Sequence, residues 1–92
     1  MTPEEVFQAI KYKITVDGYG VRKYYNHSNQ LHRDEGAAVE YPDGTKHWYQ
    51  NGVLHRVNGP AIDYGSEGGL WFIHGRRCSK KEYGVWASKG AV

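Results

Sequence analysis

The sequence predicts a mainly β protein of the α+β class: an antiparallel β-meander built from a tandem repeat of about 23 residues, with a short helix at each end. Three observations carry this. The first is composition. Eight Tyr, three Trp and two Phe make 14% of the 92 residues, twelve glycines accompany them, and Leu occurs only at Leu31, Leu54 and Leu70. Aromatic residues broken up by Gly-containing turns favour short strands over long helices. The second is self-similarity: YNHSNQLHRDEGAAVEY (Tyr25 to Tyr41) lies over WYQNGVLHRVNGPAIDY (Trp48 to Tyr64) without a gap, 23 positions on. In that alignment Leu31, His32 and Arg33 meet Leu54, His55 and Arg56, and Gly36 meets Gly59. A further step takes Trp48 to Trp71, Tyr49 to Phe72 and Gly52 to Gly75, after which the third copy diverges. The third observation is a pair of helix-start signals at the termini.

In order, residues 1–11 are expected to form a helix. Thr2 is its cap, Pro3 its first residue, Glu4 and Glu5 lie at the positive end of the helix dipole, and Val6, Phe7 and Ile10 supply an apolar stripe. Residues 12–24 form an opening hairpin around Asp17-Gly18. Repeat 1 covers 25–47, with Pro42-Asp43-Gly44 as a turn. Repeat 2 covers 48–70. Lys46 to Gln50 reads as one strand across that boundary, with His47 and Tyr49 on one face and Trp48 on the other. Asn51-Gly52 then favours a type I′ turn, which needs positive φ at both central residues. Ala61 to Tyr64 forms another strand, and a Gly-rich link leads to Leu70-Trp71-Phe72-Ile73. A partial repeat 3 spans 71–78, and a C-terminal helix and tail span 79–92. Ser79 to Glu82 has the spacing of a capping box there, and Tyr83 and Trp86 form an i, i+3 apolar pair. The whole chain, 1–92, is expected to be one domain.

Composition also narrows the function. A net charge of +2 with interspersed signs lacks the basic stripe of a nucleic-acid binder, so nucleic acid is an unlikely partner. A single cysteine, Cys78, excludes an intramolecular disulfide and fits a reducing compartment. Met1 to Ile10 carries acids and no apolar run, so it does not read as a signal peptide, and no stretch is apolar enough to span a membrane. A cytoplasmic location and no membrane partner are expected. There is no nucleophile elbow, phosphate loop or His-Glu-x-x-His motif, so the chain is expected not to be an enzyme. No His pair has the spacing of a structural zinc set, so neither metal nor cofactor is expected.

The segments LHRDEGAAVEYPDGTKHWY and LHRVNGPAIDY, with the ending GRRCSKKEYGVW, resemble a set of short phage proteins built on Leu-His-Arg-x-x-Gly-Pro-Ala β-hairpin repeats. The resemblance spans roughly Tyr12 to Trp86, and departs at Ala37, where Pro stands in the pattern. A fainter likeness is to membrane occupation and recognition nexus repeats, which are β-hairpin scaffolds. The first resemblance implies a phage or prophage accessory protein in a bacterial host cytoplasm, of a kind that counters host defence by blocking a protein or by sequestering a nucleotide-derived immune signal.

The candidate binding residues are Arg33, Arg56, His55, His32, Tyr49 and His47. Arg forks beside aromatic faces suit a nucleotide-like ligand, because stacking holds the base and charge holds phosphate. The competing reading is structural: each His hydrogen-bonds a turn carbonyl and each Arg pairs with acids such as Asp34, Glu35 or Asp63. Trp48, Trp71 and Tyr25 share a register and are expected in the core, while Tyr49 and Phe72 with His47 and Arg56 would make a stacking platform if exposed. Unpaired sheet edges favour a homo-oligomer. Sequestration of a nucleotide-like signal leads, with inhibition of a host defence enzyme or a plain assembly module as alternatives.

Overall fold

In the computed structural model, which describes residues 1–90, the chain is mainly antiparallel β with a short helix at each end. Helix α1 (Pro3–Lys11) leads into strands β1 (Lys13–Val16), β2 (Arg22–Tyr25), β3 (Val39–Glu40), β4 (Lys46–His47), β5 (Tyr49–Gln50), β6 (Val53–Leu54), β7 (Ile62–Asp63), β8 (Gly69–Ile73) and β9 (Arg76–Cys78). Helix α2 (Lys80–Ser88) follows; Ala91 and Val92, the end of the expected C-terminal tail, lie outside the described residues. Seven strands make one meander in the order β1-β2-β3-β4-β7-β8-β9, and β5 and β6 form a separate two-stranded hairpin.

Both helices start as their sequences dictate. Thr2 and Ser79 each accept a hydrogen bond from the third helical residue, Glu5 and Glu82, whose carboxylates reach back to the cap N–H, so two orphan donors are satisfied at each start. The expected apolar stripe of α1 is corrected. Val6, Phe7 and Ile10 are 41%, 49% and 74% exposed, and the buried residue is Gln8, at 7%. The surface beneath the helix explains this: it offers the Arg33 guanidinium and the Glu35 carboxylate, and charged groups leaving water need polar partners more than an apolar stripe needs cover.

A second correction concerns Lys46 to Gln50, which is not one strand. Trp48 still donates its N–H to Ala61 O at 2.7 Å, but the chain then leaves the large sheet. β5 pairs with β6 around Asn51-Gly52 (φ 49° and 84°), and Gly52 N–H donates sideways to Leu31 O at 2.9 Å. The same step recurs at the next level: His74 and Gly75 take φ of 50° and 81°, and Gly75 N–H donates to Leu54 O at 2.7 Å. Hairpins therefore stack beside the sheet, each hydrogen-bonded to its predecessor.

The gapless alignment is also corrected. The first hairpin joins Tyr25 to Leu31, whereas the second joins Tyr49 to Leu54, one residue fewer. The insertion falls before the Leu-His-Arg step, so the structural counterpart of Trp48 is Tyr24 and not Tyr25. Tyr24 N–H donates to Ala38 O as Trp48 N–H donates to Ala61 O. Tyr24 and Tyr12 are the buried aromatics, and Trp48, Trp71 and Tyr25 are only half-buried. The rest of the core is small side chains, Ala37, Ala38, Val39, Ala61, Ile73 and Cys78. Ala38 O and Ala61 O accept the N–H of Tyr24 and Trp48, which places these alanines where the units abut.

Candidate functional site

The first two units are each organised by a Leu-His-Arg step. His32 Nδ1 accepts from Asn51 N–H at 2.9 Å, and His55 Nδ1 accepts from His74 N–H at the same distance. Both rings thus carry their proton on Nε2, which in His32 faces Asp34 Oδ1 at 3.0 Å. Each His captures a turn N–H of the next hairpin. The expected bond from His to a turn carbonyl is corrected: the positive-φ turn presents its N–H, which the His nitrogen accepts. His55 is 8% exposed and stacks on His74 with ring centroids 4.3 Å apart. Burial first, and the neighbouring His74 second, hold its imidazole below the usual 6.5.

The two arginines repeat one another. Arg33 Cζ lies 3.9 Å from the Tyr24 ring centroid and Arg56 Cζ 3.7 Å from that of Trp48. Arg33 Nη1 donates to Ala37 O at 3.2 Å and Arg56 Nη1 to Pro60 O at 3.1 Å. Arg33 pairs with Glu40 at 3.6 Å, and Arg56 with Asp63 at 3.5 Å. Glycine makes room for the guanidinium: a Cβ at Gly59 would stand 2.6 Å from Arg56 Cζ.

The two units differ in what covers the outer side of that stack. In the first, α1 and the residue after it do so. Gln8 Oε1 accepts from Arg33 Nε at 3.0 Å, and the Tyr12 ring meets Tyr24 edge-on at 5.9 Å and 87°. The Tyr12 hydroxyl accepts from Asp34 N–H at 2.9 Å and donates to Glu35 at 2.7 Å. Lys11 reaches Glu35 at 2.7 Å and Asp34 at 2.9 Å. Burial pushes the Glu35 carboxyl up, but the hydrogen bonds from Lys11, Tyr12, its backbone and Gln8 together outweigh it and hold the group at about 2.

In the second unit that position is open. A cavity of about 390 Å³ is lined by Asp34, Trp48, Gln50, His55, Arg56, Val57 and Asn58. Arg56, one of the lining residues, has its Nε buried without a hydrogen-bond partner among the described residues. A buried guanidinium N–H left unpaired costs ~1–3 kcal/mol, more than an ordinary surface imperfection. In the third unit, helix α2 supplies the cover, with Tyr83 against Trp71 at a centroid distance of 4.6 Å.

Of the six residues singled out from sequence, the structure brings His55 and Arg56 to this cavity. Arg33 lines a different cleft, beneath α1, with Gln8 and Tyr24. His32 is taken up between Asn51 and Asp34. His47 packs against Tyr41 at 5.0 Å on the sheet, and Tyr49 sits half-buried on the small hairpin. The lining residues not foreseen are Gln50, Val57, Asn58 and Asp34; the inequality between Val57-Asn58 and Asp34-Glu35 at matching repeat positions was the signal available for them. Among the described residues no group of three or more His, Cys, Asp or Glu could hold a metal ion, and no helix is long and apolar enough to cross a membrane. No family model, no curated protein and no solved structure matches the chain.

Proposed function

We propose that this chain is a non-enzymatic binding protein whose site is the open cavity of the second unit, and that it acts by docking a protein partner. The observation that carries the reading is a preformed cavity lined by Trp48 and Arg56, whose Nε is buried without a partner among the described residues. A ligand that brings an acceptor within reach of that donor stabilises it. The ligand chemistry follows from what Arg56 has left. Its Nη1 is engaged by Pro60 O and Asp63, its face lies on Trp48, and Asp34 stands at the rim. The Asp34 carboxylate that lines the cavity repels a phosphate. A neutral acceptor such as an amide, carried on a protein surface and flanked by something apolar against exposed Val57, suits the site better than a nucleotide diphosphate. The resemblance to short phage proteins sets the partner, on this reading, among host proteins, with inhibition of a defence enzyme as the outcome.

The test is a side-by-side NMR titration of the ¹⁵N-labelled chain with benzamide and with nucleoside diphosphates and cyclic dinucleotides, following the Arg56 Nε–H and Trp48 indole signals. Saturable shifts with benzamide and none with the nucleotides are expected. Tighter binding of a nucleotide at these two residues would return the sequestration reading.

A further inference from the structure

We infer that the cavity of the second unit is the acceptor site for a helical segment of a protein partner, one presenting a carboxamide in its last turn and an aromatic ring four residues later, as Gln8 and Tyr12 do on the first unit. The inference rests on the docking reading and adds the identity of what docks. Its basis is the near-identity of two surfaces, of which the chain covers only one.

The correspondence holds residue by residue. Arg33 on Tyr24 and Arg56 on Trp48 are stacked at 3.9 and 3.7 Å, with their Nη1 atoms on matching carbonyls, Ala37 O and Pro60 O. Their acids match too, Glu40 and Asp63. On the first surface Arg33 Nε is met by Gln8 Oε1. On the second, Arg56 lines the cavity and its Nε is buried without a partner among the described residues. The aromatic contact recurs in outline. Tyr12 closes the first surface edge-on to Tyr24, and Trp48 lines the cavity at the corresponding place. The Tyr12 hydroxyl takes the N–H of Asp34, whose counterpart in the repeat is Val57, also at the cavity. A ring with a carboxamide one helical turn before it therefore has the contacts available that Gln8 and Tyr12 make on the first surface, apart from those that α1 makes to the Asp34 and Glu35 carboxylates.

That exception sets the specificity. Glu35 gathers Lys11, Tyr12 and Gln8 on the first surface, and Asn58 stands in its place on the second. A partner helix gains nothing there from the lysine that α1 carries at Lys11, and gains from an apolar neighbour over Val57, which is exposed. The expected partner segment is amphipathic and near neutral at this end. Because α1 is held on its own unit by the Glu35 cluster, the chain's own helix is not free to fill the second site.

The test uses the intact ¹⁵N-labelled chain and a synthetic peptide copying residues 1–14, held helical by a lactam between Val6→Glu and Ile10→Lys side chains. Val6 and Ile10 are exposed in α1, so the bridge lies off the docking face. Saturable shifts at Arg56 Nε–H and the Trp48 indole are expected, weakened at least fivefold by Gln8→Ala in the peptide and lost with Arg56→Met in the protein. Equal binding by the Gln8→Ala peptide, or shifts confined to Arg33 and Tyr24 through replacement of α1, would overturn the inference. So would shifts that appear on concentrating the protein alone, which would make a second copy the occupant. Benzamide separates the two levels: if it moves Arg56 and the peptide does not, the cavity stands as a site and the helical occupant falls, and if neither does, both fall.

Discussion

Arg33 and Arg56 make the same contacts except one, so their removal should cost different amounts, and the difference measures the missing partner. Arg→Met keeps most of the aliphatic packing and deletes the guanidinium. At Arg33 the loss comprises the stacked cation over Tyr24 at 3.9 Å, the bond to Ala37 O at 3.2 Å, the bond to Gln8 at 3.0 Å and the looser pair with Glu40 at 3.6 Å. Taking ~1 kcal/mol for the cation–π contact, ~1.5 and ~1 for the two hydrogen bonds and ~0.5 for the ion pair, Arg33→Met should cost roughly 4 kcal/mol. Arg56 loses the corresponding stack, carbonyl bond and ion pair, about 3 kcal/mol together, but its removal also relieves a buried unpaired Nε–H worth ~1–3 kcal/mol. Arg56→Met should therefore cost only about 0–2 kcal/mol.

The assay is urea unfolding of the native chain and both variants, comparing midpoints at unchanged slope. A domain of this size holds about 5–14 kcal/mol in total, so both variants stay measurable. Gln8→Ala supplies the control. It orphans Arg33 Nε as Arg56 Nε already is, so on that background the cost of Arg33→Met should fall to near that of Arg56→Met, a coupling of ~2–4 kcal/mol. Equal costs for the two arginines in the native chain, or no coupling to Gln8, would refute the claim that the two sites differ by one buried partner.

Three further outcomes are expected. Gly59→Ala should destabilise by ~1–3 kcal/mol, because its Cβ would fall 2.6 Å from a guanidinium pinned on Trp48, while Gly36→Ala, with 3.4 Å to Arg33 Nη1, should cost under ~1 kcal/mol; thermal unfolding of the two variants checks the order. Stability should fall as pH drops below about 6.5, since burial holds His55 and His47 below that value in the folded chain and protonation then favours the unfolded one; His55→Asn, whose Oδ1 can still accept from His74 N–H, should flatten the pH dependence of the urea midpoint. Glu35 is shifted in the same direction but by its hydrogen-bond partners and at lower pH: held at about 2 when folded against an ordinary 4.5, it stabilises fully above the ordinary value and loses that contribution as pH falls towards 2, so Glu35→Gln should destabilise at pH 7 and be neutral near pH 2 in the same assay.

The meander and its repeat were legible because they are written locally. Asn51-Gly52 needs positive φ, Thr2 and Ser79 carry their capping partners three residues on, and aromatic strands between such signals leave few other folds. What escaped was set by contacts between units. The bend after Trp48 depends on Leu31 O, a partner 21 residues upstream of Gly52, and the one-residue difference in hairpin length hides behind a gapless match of identical letters. The orientation of α1 was illegible for a related reason: its apolar positions are outvoted by a guanidinium and a carboxylate presented by a loop that folds beneath it.

The same logic explains why a repeat points to a site at the place where it fails. A residue that recurs in every unit, such as His32 and His55 or Arg33 and Arg56, is held by the unit's own contacts and so says little about a ligand. The information lies in the partners that do not recur. Three stacked aromatic positions run along the sheet, Tyr24, Trp48 and Trp71; the first is closed by Tyr12 from one end of the chain and the last by Tyr83 from the other. End helices can reach only end units, so a repeat of this length necessarily leaves its middle unit uncapped by the chain itself. A chain selected for stability alone would fill that gap with a larger side chain in place of Val57 or Asn58, or would replace Arg56 by an apolar residue and remove the orphaned donor. Retaining the guanidinium in an open cavity sacrifices stability at the one unit left free, which is the pattern expected of a surface kept for a partner.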